Sequence, residues 1–92
     1  MKYTYPIVMS KSNDGYFVPI PDFNIATQEN DFDEAIFMAR DAIGIMGITL
    51  EDDGEELPKP NSSVITKERE TDIISQVEVD FKQYRKKYES IR

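Results

Sequence analysis

Residues 15–42, GYFVPIPDFNIATQENDFDEAIFMARDA, change their hydrophobic period partway along, and that change narrows the folds open to the chain. In the first half apolar and polar positions alternate, the pattern of strands with one buried face. From Phe32 the apolar residues return at i, i+3, i+4 and i+7, the pattern of a helix with one buried stripe. A strand pattern that runs straight into a helix pattern calls for a sheet with a helix laid over it.

The flanking segments extend both patterns. Residues 3–11 put Tyr3, Tyr5, Ile7 and Met9 on one side of a strand and Thr4, Pro6, Val8 and Ser10 on the other. Pro6 has no N–H to give a ladder, which points to an edge position or a strand start. Asn13, Asp14 and Gly15 supply a tight turn, and Asp-Gly is a hairpin signal. The second strand covers 16–20, with Tyr16, Val18 and Ile20 facing away from Phe17 and Pro19. Pro21 and Asp22 end it, and a short third strand is expected over 24–28.

Asp31 and Glu34 have the spacing of a capping box. The stripe Phe32, Ala35, Ile36, Ala39, Ala42, Ile43, Met46 and Leu50 then defines the core side of the helix, with Gly54 as its left-handed stop. Residues 55–63 form a polar loop, and 64–72 are ambiguous, with one helical turn across 66–70. A last strand is expected over 73–80. A terminal helix follows over 81–91, with Phe81, Tyr84, Tyr88 and Ile91 on one face. The order β-β-β-α-β plus a C-terminal helical segment gives an α+β fold, an antiparallel-type sheet covered on one face by a helix.

Ninety-two residues suffice for one such core and no second one, since a domain of this size buries roughly 60–65% of its unfolded surface. With neither His nor Cys, no Ser-His-Asp or Cys-His arrangement and no zinc cluster can be built. The absence of Cys fits a reducing cytoplasm. No apolar run approaches the ~20 residues that cross a bilayer, and the N-terminus has no signal-peptide core. The four glycines make no phosphate-binding pattern, so no cofactor is expected.

Carboxylates remain. Asp22, Glu29, Asp31 and Asp33 could gather at one end of the sheet and hold Mg²⁺ for a nuclease. A turn, a cap and a solvated rim account for the same acids, so no metal site and no catalytic residue are assigned. The net charge of −7 is uneven: residues 1–81 carry 6 Lys and Arg against 17 Asp and Glu, and residues 82–92 carry 5 against 1. The body, at net −11, repels nucleic acid and attracts basic partners. The basic tail either touches phosphates or is a solvated helix end.

The long helix carries apolar residues that its core stripe does not use. Phe37 and Ile48 lie roughly opposite that stripe, and Met38 and Ile45 lie on its flank. They are either scattered surface apolars or a strip for a partner or a second copy, which makes a homo-oligomer, dimer or higher, an expectation.

Six pieces, in order, now carry a resemblance. They are Gly15, Tyr16, Phe17 and Val18; Pro21 and Asp22; Thr27 and Gln28; the run DFDEAIFMARDAI at 31–43; EDDGEELPKP at 51–60; and Val79, Asp80 and Phe81 with YRKK at 84–87. Together they resemble the HicB family of bacterial antitoxins over nearly the whole chain. The resemblance implies a reduced RNase H-like domain without nuclease activity that sequesters HicA, a small basic mRNA-cleaving toxin. It divides the chain into a toxin-binding domain over 1–80 and a helical segment or linker over 81–92. Relatives usually continue into a C-terminal module that binds DNA and represses their own operon, so DNA is a partner only where that module is present.

Acids and aromatics cluster at Tyr16, Phe17, Asp22, Phe23, Glu29 and Asp31, which are the expected toxin contacts. Phe37, Met38, Ile45 and Ile48 form the alternative strip, for self-association or the toxin. A stand-alone dimeric adaptor without a toxin, or a Mg²⁺-dependent nuclease, would be the competing functions.

Overall fold

Four strands, β1 (Lys2–Ser12), β2 (Gly15–Ile20), β3 (Ile25–Glu29) and β4 (Ile73–Asp80), form one antiparallel sheet in the order β3-β2-β1-β4. Two helices, α1 (Phe32–Asp52) and α2 (Phe81–Ile91), complete the fold. The computed structural model describes residues 2–60 and 69–91, and side chains as far as residue 87. The α+β class and the element order are those read from the sequence.

The hairpin shows how local chemistry sets the register. Ser12 pairs with Gly15, so Asn13 and Asp14 form the two-residue turn, one position earlier than an Asp-Gly turn would place it. Gly15 instead opens β2 at φ +139, and a Cβ there would overlap the Glu29 carbonyl and sit 2.8 Å from Asn30 Cα. Only glycine satisfies both the backbone angle and that close approach. At the other end of β2, Pro21–Phe23 make one 3₁₀ turn. Asn24 leaves it in the left-handed region (φ 54), donating its N–H to the Pro21 carbonyl at 3.1 Å. Asn tolerates that conformation, and it moves the start of β3 to Ile25.

Alternation decides what is buried. Tyr5, Ile7 and Met9 of β1, Val18 and Ile20 of β2, and Val77 and Val79 of β4 share the face beneath α1 and are fully buried. Pro6 contradicts the edge expectation, because β1 is a central strand and Pro6 is buried within it, opposite Gln76. The β1–β2 pairing runs from Ser10 to Ser12, beyond Pro6, so the missing N–H takes no donor from that ladder.

α1 begins where the cap was expected: the Asp31 carboxylate accepts the Glu34 N–H at 2.9 Å. Asp33 and Glu34 add negative charge at the positive end of the helix dipole. The helix ends in a Schellman arrangement, with the Glu55 N–H donating to Leu50 O (2.9 Å) and the Gly54 N–H to Glu51 O (3.0 Å), Gly54 having φ +78. Ala35, Ala39 and Ile43 enter the core, and Ile36, Ala42, Met46 and Leu50 pack against it. Phe32 departs from its expected place in the stripe. It is exposed on the first turn, where its ring meets Tyr16 edge-on at 5.9 Å.

α2 follows β4 without a loop. The Asp80 carboxylate accepts the Lys82 and Gln83 N–H groups at 3.1 and 3.3 Å, an N-cap supplied by the last residue of the strand. Phe81 is 2% exposed and sits edge-on to Tyr3 and Tyr5, both at 6.3 Å. Burying that ring contributes about 1.5–3 kcal/mol. Two glycines on α1 make room for α2. A Cβ on Gly47 would collide with the Phe81 ring, and one on Gly44 would lie 2.5–2.7 Å from the Tyr84 ring. Arg85 then clamps the far end of α1, reaching Asp52 at 2.9 Å and Glu51 at 3.3 Å.

The return to β4 is pinned by a polar cluster. Asp72, 3% exposed, accepts from the Ser10 hydroxyl at 2.9 Å and from the Arg69 N–H at 3.2 Å. The Arg69 guanidinium also donates to Ser10 Oγ and to the Lys11 carbonyl. The helical turn expected across 66–70 lies mostly outside the described residues, as do the side chains of Tyr88 and Ile91. Among the described residues, no helix is long and apolar enough to cross a membrane.

Candidate protein-binding surfaces

The six expected contact residues divide among three places. Tyr16 and Glu29 are register partners on β2 and β3, and Asp31 caps the helix that starts just beyond them. With Phe32, Asp33 and Glu34 they form an acidic end carrying two aromatic rings. Phe17, 48% exposed, projects from the opposite face of the sheet, as its alternate position on the strand requires. Asp22 and Phe23 sit on the 3₁₀ turn at the far end of β2. The five residues of β3 separate that turn from Glu29 by roughly 17 Å at about 3.3 Å per residue. Phe23 is 8% exposed and packs edge-on against Tyr5 at 4.8 Å, so its ring belongs to the core and offers a partner little surface.

The same separation bears on the carboxylates. Asp22 lies at one end of the sheet and Glu29, Asp31 and Asp33 at the other, with Asp31 engaged by the Glu34 N–H. Among the described residues no three Asp or Glu side chains are placed to hold a metal ion. The second acidic run, Glu51, Asp52, Asp53, Glu55 and Glu56, joins Asp22 at the end where α1 stops.

The strip on α1 is shorter than expected. Phe37 is 55% exposed, and Met38 and Ile45 are half-buried beside it. Ile48 is 7% exposed and leaves the strip. It follows Gly44 by one helical turn, on the side of α1 where Gly44 and Gly47 meet the α2 rings. At the same junction burial raises the Tyr84 phenol above its ordinary range, and Asp41 pushes it the same way.

Three features were missed in the sequence: the glycine seat, the Asp80 cap and the Ser10–Asp72–Arg69 cluster. The first left a signal. Gly44 and Gly47 are three apart in a helix otherwise rich in large apolar residues, and Phe81 and Tyr84 are three apart in the next one. The cluster left none, because Ser10 lies 62 positions from Asp72.

Known proteins place this architecture. An antitoxin-complex structure, described as a toxin–antitoxin complex from Streptococcus pneumoniae, superposes with a TM-score of 0.73 at 28% identity, covering 91% of this chain and 73% of that one. A second, the HicA3 and HicB3 toxin–antitoxin complex, gives a TM-score of 0.66 at 27% identity, over 85% of this chain and 99% of that one. A phage protein, the uncharacterized 14.9 kDa protein in the rep-hol intergenic region of Haemophilus phage HP1, is 41% identical over 58 residues. Those residues are 62% of this chain and 44% of the phage protein, so the match spans less than half of that relative's length. The family model for the HicB-like antitoxin of bacterial toxin–antitoxin systems matches residues 5–92. With a match over nearly the whole chain, this protein belongs to the HicB-like antitoxin family.

Proposed function

We propose that this domain binds a small basic HicA-type RNA-cleaving toxin in the bacterial cytoplasm and neutralises it by covering its RNA-binding surface. The observation that carries the reading is the family match over residues 5–92. Charge supplies the physics. A body of net −11 steers a basic partner towards itself and presents carboxylates where RNA would present phosphates. Both acidic ends and the Phe37–Met38–Ile45 strip are available for that contact, with apolar burial supplying affinity and charge supplying approach rate.

On this reading the domain is an inhibitor and not an enzyme. Its acids work as caps, rim charges and partner contacts. α2 then serves as the connection to a DNA-binding module in a protein that carries one, where the antitoxin would also repress its own operon. The test is expression of the neighbouring toxin gene in a sensitive host, with and without this chain. Rescue of growth, with the two proteins co-purifying at low salt, is the expected result. Growth arrest that this chain does not relieve would overturn the reading.

A further inference from the structure

At the end of the molecule where α1 stops, one groove differs from the acidic surface around it. Met46, Leu50 and Pro58 form its apolar walls together with the small exposed part of Phe23, and Asp22, Asn24, Glu55 and Glu56 complete the lining, with the carboxylates at the rim of an open groove of about 300 Å³. The walls are fixed from behind. Met46 and Leu50, one helical turn apart, pack against the core. Pro58 is held by the buried Tyr5 hydroxyl, which donates to its carbonyl at 2.7 Å. Glu55 is positioned by its N–H bond to Leu50 O, part of the turn that ends α1. The described lining contains no Lys or Arg; Arg85 is committed to Glu51 and Asp52, and Lys59 lines the neighbouring pocket, which shares Glu55 and Glu56 with this groove.

We propose that this groove receives one Arg or Lys side chain from the basic protein that the domain binds, an inference that rests on the antitoxin reading. Such a side chain has an apolar stem and a charged head, and it buries the stem along apolar surface while the head stays at the rim. The groove has the complementary order, apolar below and carboxylate above. Met46 adapts its shape to a stem of either type. A phosphate would be repelled by the rim. A wholly apolar ligand would cover Glu55 and Glu56 without pairing their charge, which costs free energy.

Two measurements test the site. In the first, N-acetyl-arginine methylamide is titrated into the full chain while the methyl resonances of Met46 and Met38 are followed. A saturable shift at Met46, none at Met38, and its loss in Glu55→Gln/Glu56→Gln are expected. N-acetyl-norleucine methylamide, with a similar stem and no charge, should give no saturable shift. In the second, affinity is measured for a catalytically inactive form of a cognate HicA-type protein. Glu55→Gln/Glu56→Gln should weaken binding about tenfold or more, whereas Glu70→Gln/Glu78→Gln, the same charge change at exposed positions elsewhere, should weaken it less than about threefold. Equal losses in the two variants, or a Met46 methyl indifferent to the arginine probe, would overturn the groove and leave the antitoxin reading intact. A wild-type chain that takes the arginine probe but not the toxin would support the groove and overturn the antitoxin reading.

Discussion

Gly47→Ala sets two effects of known size against each other. Alanine in a helix interior is favoured over glycine by about 1 kcal/mol, so propensity alone makes the variant more stable. The packing argues the reverse. The new methyl would collide with the Phe81 ring, lying 2.6 Å from Cδ1, and would sit 3.1 Å from Leu57 Cδ2. Carbon pairs settle at about 3.5–4.0 Å, so the ring must retreat by about 1 Å or more. Tyr3 and Tyr5 flank it, and it is 2% exposed, so it has nowhere to go without drawing α2 off α1. Overpacking costs about 1–3 kcal/mol, and partial exposure of Phe81 adds part of its 1.5–3 kcal/mol. The net expectation is a loss of about 2 kcal/mol, or roughly 8–16 °C in Tm for a domain of this size. Thermal and urea melts followed by circular dichroism measure it. Phe81→Leu in the same background should recover part of the loss, with a coupling of about 0.5–3 kcal/mol. Gly44→Ala should cost less, because the Tyr84 ring it meets is half-exposed. A Gly47→Ala variant about 1 kcal/mol more stable than the parent would refute the packing argument.

Three further perturbations probe the core and its polar ties. Burial, with Tyr3 and Asp22 adding, raises the Tyr5 phenol above its ordinary value near 10. The fold therefore favours the neutral form, and that contribution is complete below about pH 10 and lost as pH rises beyond it. Tyr5→Phe should flatten the alkaline decline in urea midpoints and, by removing the bond to Pro58 O, cost about 0.5–1.5 kcal/mol at pH 7. An unchanged alkaline slope would count against the assignment to Tyr5. Asp72→Ala leaves Ser10 and the Arg69 N–H without their acceptor and should cost about 1–3 kcal/mol by denaturant unfolding; a change under about 0.5 kcal/mol would show that the cluster is not structural. Thr27 Oγ1 is buried with no partner among the described residues, so Thr27→Val should be neutral or raise stability by up to about 1 kcal/mol. A loss of more than that would reveal a bond the hydroxyl makes.

Particular residues show what can be read from a one-dimensional pattern. The last strand and the terminal helix lie at 73–80 and 81–91, as alternation and then helical spacing placed them. The Asp31 cap and the Gly54 stop were also legible, because each depends on neighbours within a few positions. Errors came where a second element intervenes. Ile48 lies outside the core stripe of its own helix yet is 7% exposed, and a single helix says nothing of the helix packed along that side. The missing donor of Pro6 points to an edge or a strand start, while the sheet holds it within a central strand because the β1–β2 pairing lies beyond it.

The candidate site was only partly legible. Composition gave the sign of the charge and hence the character of the partner. Grouping Tyr16 with Phe17 set aside the alternation that sends them to opposite faces. Grouping Asp22 with Glu29 set aside the length of β3 between them. The groove at the end of α1 draws its walls from the 3₁₀ turn, the helix and the loop after it, three segments that only the folded chain brings together.

The most direct test of the antitoxin role is a cleavage assay. A cognate HicA-type nuclease is mixed with a defined RNA and increasing amounts of the purified chain, at low and at high salt. Cleavage should stop near equimolar chain at low salt and return as salt screens the acidic body. Cleavage that continues at its full rate with the chain in large excess at low salt would contradict inhibition by occlusion.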